Sequence, residues 1–434
     1  MLATAVIAVL TFITLALSII FFPSVRIGKI KIGAYWIVAL AGASALLIAN
    51  LTPADHIWRE LNGNSAVNPI KILILFFSMT FLSVFLDEVG FFRYLAKKAA
   101  RSAGRDQRRL FILLYILTAT LTVFTSNDII ILTLTPFICF FCKHTNIDPV
   151  PYLVSEFAVA NTWSMLLIIG NPTNIYLATS ANIGFAEYTK VMLLPTVAAG
   201  AVEFVIIYLL FRKKLKTELQ PEEDRFAIRS RSELTTGLIH LAVCLACLII
   251  SSYIHLEMWL VSSVCAGSLL LFALFFCLLN KDNIKYVTHS LKRLPWQLIP
   301  FVLSMFVIVI CLQYQGISDK LGDILGDRGA VWTYGFSSFL FSNVINNIPM
   351  SILYSTLPSG LPHADFYRAV YASIVGSNIG AFLTPVGALA GIMFTGLTER
   401  YEVGYGFKKF IRYGAVISLP TISAALTVLY FILK

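Results

Sequence analysis

Charge is what this sequence has least of. Lysine and arginine (33) with aspartate and glutamate (23) make up only 13% of its 434 residues, about half the usual share of a soluble protein. Apolar residues reach 58%, with 33 phenylalanines, and no soluble fold could bury that surface and keep a wettable exterior. Soluble enzymes and disordered regulators are excluded together. A basic face for nucleic acid is missing too. The net charge is +10, but the basic residues sit in short loops between apolar runs, the distribution that the positive-inside rule produces. Cysteine is sparse and odd in number: the seven cysteines all lie in or beside apolar runs and read as reduced packing residues, not a disulfide framework. The first apolar run has no basic stretch before it and no small-residue cleavage site after it, so it reads as a membrane span. Also missing are H-E-x-x-H, G-x-S-x-G, any Asp-rich pair and any phosphate loop. The chain is expected not to be an enzyme, with no catalytic residue, metal site or cofactor beyond a coupling proton or Na⁺.

What is present is a series of long uncharged runs. A span needs about 20 apolar residues. Runs that qualify are 2–25, 32–54, 157–186, 258–280, 294–318, 369–398 and 413–433; 70–86, 191–211 and 234–256 qualify with one or two polar blemishes. Two stretches are odd. Residues 110–142 are interrupted only by Asp128, and 329–359 carry no charge; both are too long for one span and too short for two.

Loop charge decides what they are. Segments 92–109 and 212–232 each hold seven basic residues, so both are expected to be cytoplasmic, yet three hydrophobic stretches separate them. One stretch must therefore enter and leave on the same side, and 110–142 is the natural re-entrant hairpin. Loops 281–293 and 400–412 are also both basic, which makes 329–359 a second hairpin. Each half becomes three spans, a hairpin and two spans, and the halves start on opposite sides. The expected fold is an all-α polytopic membrane protein in the cell membrane, an inverted repeat of about ten transmembrane helices and two re-entrant hairpins. The first repeat covers 1–211 with a broken helix over about 151–182. A solvated cytoplasmic linker covers 212–235, and the second repeat covers 236–434 with a broken helix over about 366–398. Sequence echoes the repeat: Asn127-Asp128-Ile129 matches Asn346-Asn347-Ile348 at an offset of 219, and Asn161 and Gly170 match Asn378 and Gly387 at 217.

Polar, Gly and Pro residues gather at four places in these runs: Ser126-Asn127-Asp128, Gly170 to Asn174, Asn343 to Asn347, and Gly376 to Gly387. Pro and Gly break the helical ladder and leave N–H and C=O groups that a substrate or ion satisfies. Asn127, Asn171, Thr173, Asn346, Asn347, Ser377, Asn378 and Thr384 are the expected substrate-binding residues, since amides and hydroxyls both donate and accept. Asp128 is the expected carrier of the coupling ion or proton, because a carboxylate at that depth is costly unless it has such a role. Glu156 and Glu203 fall nearer the ends of their spans and read as snorkelling or water-facing. His240 reads as structural, in the first turn of a span; Cys244 and Cys247, at i and i+3, read as packing.

With these residues in hand, the chain resembles the ion transporter superfamily of arsenite efflux permeases, sodium/proton antiporters and citrate or divalent-anion symporters. Asn127-Asp128 followed by Leu132, Leu134, Thr135 and Pro136 resembles the arsenite permease hairpin signature. So do Asn346-Asn347-Ile348-Pro349, Gly376 to Gly380, Thr384 to Gly387, and Leu389-Ala390. Two departures stand out. Asn161 takes the place of an Asp, and Gly170-Asn171-Pro172-Thr173-Asn174 looks closer to the antiporter and carboxylate branches. The resemblance implies a secondary transporter of a small molecule or ion, surrounded by membrane lipid. Its partners would be a second copy of the chain and, on the arsenite branch, a separate ATPase subunit. The leading expectation is arsenite or antimonite efflux by proton antiport. The alternatives are a sodium- or proton-coupled citrate, dicarboxylate or other small-anion symporter, and a sodium/proton antiporter. A fixed charge on Asp128 repels a dianion unless a cation lies between them, and no Lys or Arg falls in the four clusters.

Overall fold

The computed structural model describes residues 1–22, 24–27, 30–63, 68–219, 230–254, 256–279 and 285–434. Helix dominates, because a backbone in lipid must satisfy its own N–H and C=O groups. The first half runs α1 (Leu2–Phe21), α2 (Ala34–Ile48), α3 (Ala54–Asn62), α4 (Pro69–Glu88), α5 (Phe91–Ala103), α6 (Gln107–Phe124), α7 (Asn127–His144), α8 (Val150–Trp163), α9 (Pro172–Ser180) and α10 (Phe185–Phe211). The second half repeats the order: α11 (Arg231–Ile254), α12 (Met258–Leu279), α13 (Lys285–Lys292), α14 (Leu298–Tyr314), α15 (Ile317–Leu325), α16 (Ala330–Ile345), α17 (Asn347–Tyr354), α18 (His363–Gly380), α19 (Leu389–Arg400) and α20 (Phe407–Ile432).

The correspondence reaches the small elements. Helices α3, α5, α13 and α15 are short and amphipathic, and α5 and α15 follow Gly90 (φ 90°) and Gly316 (φ 66°), where the left-handed backbone turns the chain out of a span. Helices α6 and α7 are joined through Thr125 and Ser126, and α16 and α17 through Asn346. At 8 residues, α17 is only about 12 Å long and cannot cross the bilayer. The chain is thus a multi-pass membrane protein of inverted-repeat build, in which α17 is too short to cross whereas α6 and α7 are 18 residues each.

Three sequence expectations need correction. Between α1 and α2 the described residues include a β-hairpin of β1 (Ser24–Ile27) and β2 (Ile30–Gly33), with Val25 opposite Ile32 and Arg26 opposite Lys31. β-Branched residues alternating with basic ones favour strand over helix there, so the span expected from residue 32 begins at Ala34. The run 294–318 is not straight: α14 and α15 meet at an 81° bend. Helix α11 begins at Arg231, so His240 lies in its third turn, not its first, where Nε2 and Ser268 Oγ of α12 are 3.1 Å apart. Part of the 212–235 linker, with Glu222, Glu223 and Asp224, lies outside the described residues, as do Lys281 and His255.

The helices sort into two groups by packing. One group joins α1, α2 and α14 to one another and α4 to α11, α12 and α13; the other joins α6 to α8, α7 to α19, α9 to α17, α16 to α18 and α10 to α20. Ion pairs hold the rim of the first group: Arg293 reaches Asp87 (2.7 Å) and Glu88, and Lys71 reaches Glu257 at 2.8 Å. The tightest packing in the second group is between α16 and α18. Gly376 and Gly380 stack on Ser338 and Ser342, a small-x-x-x-small face on each helix. Cys244 is buried with its sulfur 3.6 Å from that of Met79, as a packing residue would be.

Candidate functional site

The second group contains two broken helices, and local sequence accounts for each break. Helix α8 ends at Trp163, two 3-10 turns follow, and Pro172 starts α9 at a position where its missing N–H costs nothing. Gly170 is required because a Cβ there would enter the Ser164 carbonyl. Helix α18 ends at Gly380, Pro385–Gly387 form a 3-10 turn, and α19 starts after Ala388. Asn171 and Ala388 precede the two outgoing half-helices with the same φ of −149°.

Asn378 is where the two repeats join. Its Oδ1 accepts from Asn171 Nδ2 (2.9 Å) and Ser164 Oγ (3.0 Å), and its Nδ2 donates to Asn174 Oδ1 (2.7 Å) and the Ile374 carbonyl (2.8 Å). Alongside, Ser377 Oγ donates to Thr173 Oγ1 at 3.1 Å. All of these residues are buried. Four of the expected residues, Asn171, Thr173, Ser377 and Asn378, therefore form one network.

The hairpin tips make separate contacts. Asn127 Nδ2 donates to Asn161 Oδ1 at 3.1 Å. Asn346, with φ 75°, donates to the Val386 carbonyl (2.9 Å) while its Oδ1 caps the N–H of Ile348 (3.3 Å). Thr384 donates through both N–H (3.0 Å) and Oγ1 (2.7 Å) to Asn343 Oδ1. Asn347 is buried at the start of α17. Asp128 lies half-buried in the first turn of α7, where the helix dipole favours a negative charge. No cation or hydrogen-bond donor among the described residues meets its carboxylate.

The two pairs of packed helices differ at their N-termini. Helices α9 and α17 pack together, and Asn171 and Asn346 cap them from their own side chains. Helices α7 and α19 also pack together, but neither has a side-chain cap. Ser126 Oγ and Asn127 Oδ1 at the α7 end are buried without a hydrogen-bond partner. That end of the site presents uncapped N–H groups, two unsatisfied oxygens and one carboxylate. It can receive a ligand that both donates and accepts hydrogen bonds.

Sequence reasoning missed Ser164 and Asn174 as ligands of Asn378, and Asn343 as the partner of Thr384. Asn174 and Asn343 lay inside polar clusters that the sequence shows, whereas Ser164 lay outside them. Glu156 and Glu203 neither snorkel nor face water: they are 2% and 0% exposed. Glu156 accepts from Thr135 Oγ1 at 3.0 Å. Among the described residues no group of three His, Cys, Asp or Glu side chains could hold a metal.

The model of the citrate transporter family matches residues 30–376. The chain belongs to that family. Known relatives extend over nearly its whole length. It is 26% identical over 417 residues to an arsenical pump membrane protein of Escherichia coli, covering 92% of this chain and 93% of that one. The arsenical pump membrane protein of Yersinia enterocolitica is 26% identical over 413 residues, covering 91% and 92%. Among solved structures, the Alcanivorax borkumensis YdaH transporter, described as having an unusual topology, superposes with a TM-score of 0.60 at 16% identity over 99% of this chain and 97% of that one. This citrate transporter family member is a membrane transporter, and its substrate is a small molecule or ion.

Proposed function

We propose that the chain extrudes arsenite or antimonite in exchange for protons, by alternating access of the site between α7 and α19. The observation that carries this reading is the unpaired Asp128 at an end of the site that otherwise offers amides, hydroxyls and helix N–H groups. A neutral trihydroxy acid matches such a lining: its hydroxyls donate to Asn127 Oδ1, Ser126 Oγ and the Asp128 carboxylate and accept from the uncapped N–H groups. A dianion would meet the Asp128 charge without a Lys or Arg to offset it. The arsenical pump relatives support the same choice. Asp128 is then the group that takes a proton from one side and yields it on the other. The reading admits a second copy of the chain, or a separate ATPase subunit, as partner.

The test is accumulation in everted vesicles under an imposed proton gradient, with arsenite, citrate, succinate and Na⁺ compared. Saturable arsenite uptake that collapses with the gradient is expected. Sodium-dependent citrate or succinate flux without arsenite movement would overturn the proposal.

A further inference from the structure

Helix α8 carries polar residues on two sides. Asn161 takes the hairpin tip through Asn127. One residue on, about 100° round the helix, Thr162 faces α10 and Glu203. Glu203 is 0% exposed, and neither carboxylate oxygen has a hydrogen-bond partner. Its polar neighbours are Thr162 and Tyr115. Thr162 Oγ1 is itself unpartnered, and Tyr115 gives its proton to the Gly200 carbonyl at 2.6 Å. Gly200, one turn earlier on α10, lets the helix close on α8, since a Cβ there would lie 2.6 Å from the Trp163 ring. The carboxyl is thus pressed against the broken helix in a pocket of Tyr115, Thr162, Trp163 and Phe204.

Tyr115 is the one titratable group facing it from α6. Helix α8 and the turn after it offer Thr162, Trp163, Ser164 and Met165, none of which titrates. Helix α20 turns Gly414, Ile417, Ser418 and Thr421 inward. The buried acid of α11, Glu233, interacts instead with Tyr286. Among the described residues no cation touches Glu203. An ionised carboxylate there would be costly to bury, whereas a neutral one can turn its O–H to the Thr162 or Tyr115 hydroxyl beside it. A proton-binding group needs an acid.

We propose that Glu203 is a second proton carrier of the transporter, on the side of α8 away from the hairpin tip, binding one proton and releasing it in each transport cycle. The inference rests on the proton-coupled reading above and adds a group to it. Its neighbour Thr162, one residue on from Asn161, couples the proton to the tip: a change at Asn127–Asn161 rotates or shifts α8 and with it the surroundings of Glu203.

The full-length protein in lipid vesicles tests this without assuming a substrate. Infrared difference spectra between acid and alkaline pH should show a protonated-carboxyl C=O band that Glu203→Gln removes and that Asp128→Asn and Glu156→Gln retain. In transport, Glu203→Gln should carry downhill arsenite exchange, flatten the pH profile and lower the accumulation ratio about tenfold under a gradient of about one pH unit, the share of one proton. If Glu203→Gln does not fold, Glu203→Asp must shift the band in frequency while keeping it pH-sensitive. No Glu203-dependent band, or an unchanged accumulation ratio and pH profile, overturns the proposal. A titrating Glu203 band in a protein that moves no arsenite overturns the substrate reading and leaves this one standing.

Discussion

Asn171 of the first repeat and Asn378 of the second meet side chain to side chain at 2.9 Å, so the two broken helices are joined through buried amides. Asn378 also binds Ser164, Asn174 and the Ile374 carbonyl. Truncating it leaves two buried polar groups, Asn171 Nδ2 and Asn174 Oδ1, unpaired, each worth about 1–3 kcal/mol. Asn378→Ala should therefore lose transport and lower the thermal midpoint of the detergent-solubilised protein by many degrees. Asn378→Asp should not rescue it, because an acid keeps the acceptor for Asn171 and Ser164 but cannot donate to Asn174 and Ile374. A midpoint unchanged in both variants would show that the network has no structural role.

Asp128 has a different signature. It makes no hydrogen bond that a structural variant would break, so Asp128→Asn should keep the protein folded and leave the thermal midpoint within a few degrees. What it should lose is coupling: uptake no longer responding to the proton gradient. Gradient dependence equal to that of the wild type would remove Asp128 from the coupling role.

Much of this arrangement was legible in the sequence, and the reason is solvent. Lipid forces helices to be long, apolar and uninterrupted, so Gly170-Asn171-Pro172 and Thr384-Pro385 stand out as breaks against a quiet background. Loop charge and run length carried the repeat, and the near-constant offsets between Asn127 and Asn346, and between Asn161 and Asn378, echoed it. Position across the helix was not legible. Glu156 and Glu203 were placed by depth along a span, whereas their burial depends on which helix they face. The strands β1 and β2 and the bend after Tyr314 were hidden because a hydropathy run does not distinguish a strand or a turn from the end of a helix. Ser164 gave no signal of its own, since its role appears only once the break folds it under Asn378.

Helix packing in the second group has a sharp steric test. A methyl group at Gly376 would collide with Ser338 Oγ and the Gly335 carbonyl. Gly376→Ala should cost about 1–3 kcal/mol, the usual penalty of overpacking, read as a lower thermal midpoint. Adding Ser338→Gly should restore only part of the loss, because the Gly335 carbonyl remains in the way. Full recovery would mean that α16 and α18 can separate freely.

The rim responds to pH with a defined sign. Lys71 and Trp259 both donate to Glu257, and these bonds hold its carboxyl below the ordinary range. A depressed folded-state value means that the pair stabilises above the unfolded carboxyl's pKa, about 4.3, and the contribution is lost as the pH falls through the lower folded value. The pair is half exposed, so solvent screening limits it to about 0.2–1 kcal/mol. Glu257→Gln should lower the thermal midpoint slightly at neutral pH, and the difference from wild type should vanish in acid. A difference that grows on acidification would contradict the assignment.

Capping offers the most direct test of which end of the site receives the ligand. Asn171 and Ala388 have the same extended backbone before α9 and α19, but only Asn171 has a side chain that reaches the first-turn N–H groups. Placing an asparagine at the second position should cap α19 as Asn171 caps α9. A new N-cap stabilises by about 0.5–2 kcal/mol, so Ala388→Asn should raise the thermal midpoint. The same side chain would occupy the N–H groups that the proposed substrate uses, so KM should rise while the rate at saturation changes less. Ala388→Ser, with a shorter reach, should give a smaller shift of both quantities in the same directions. A stabilised protein with unaltered KM would move the ligand away from α19, and a KM increase without stabilisation would indicate a clash in place of a cap.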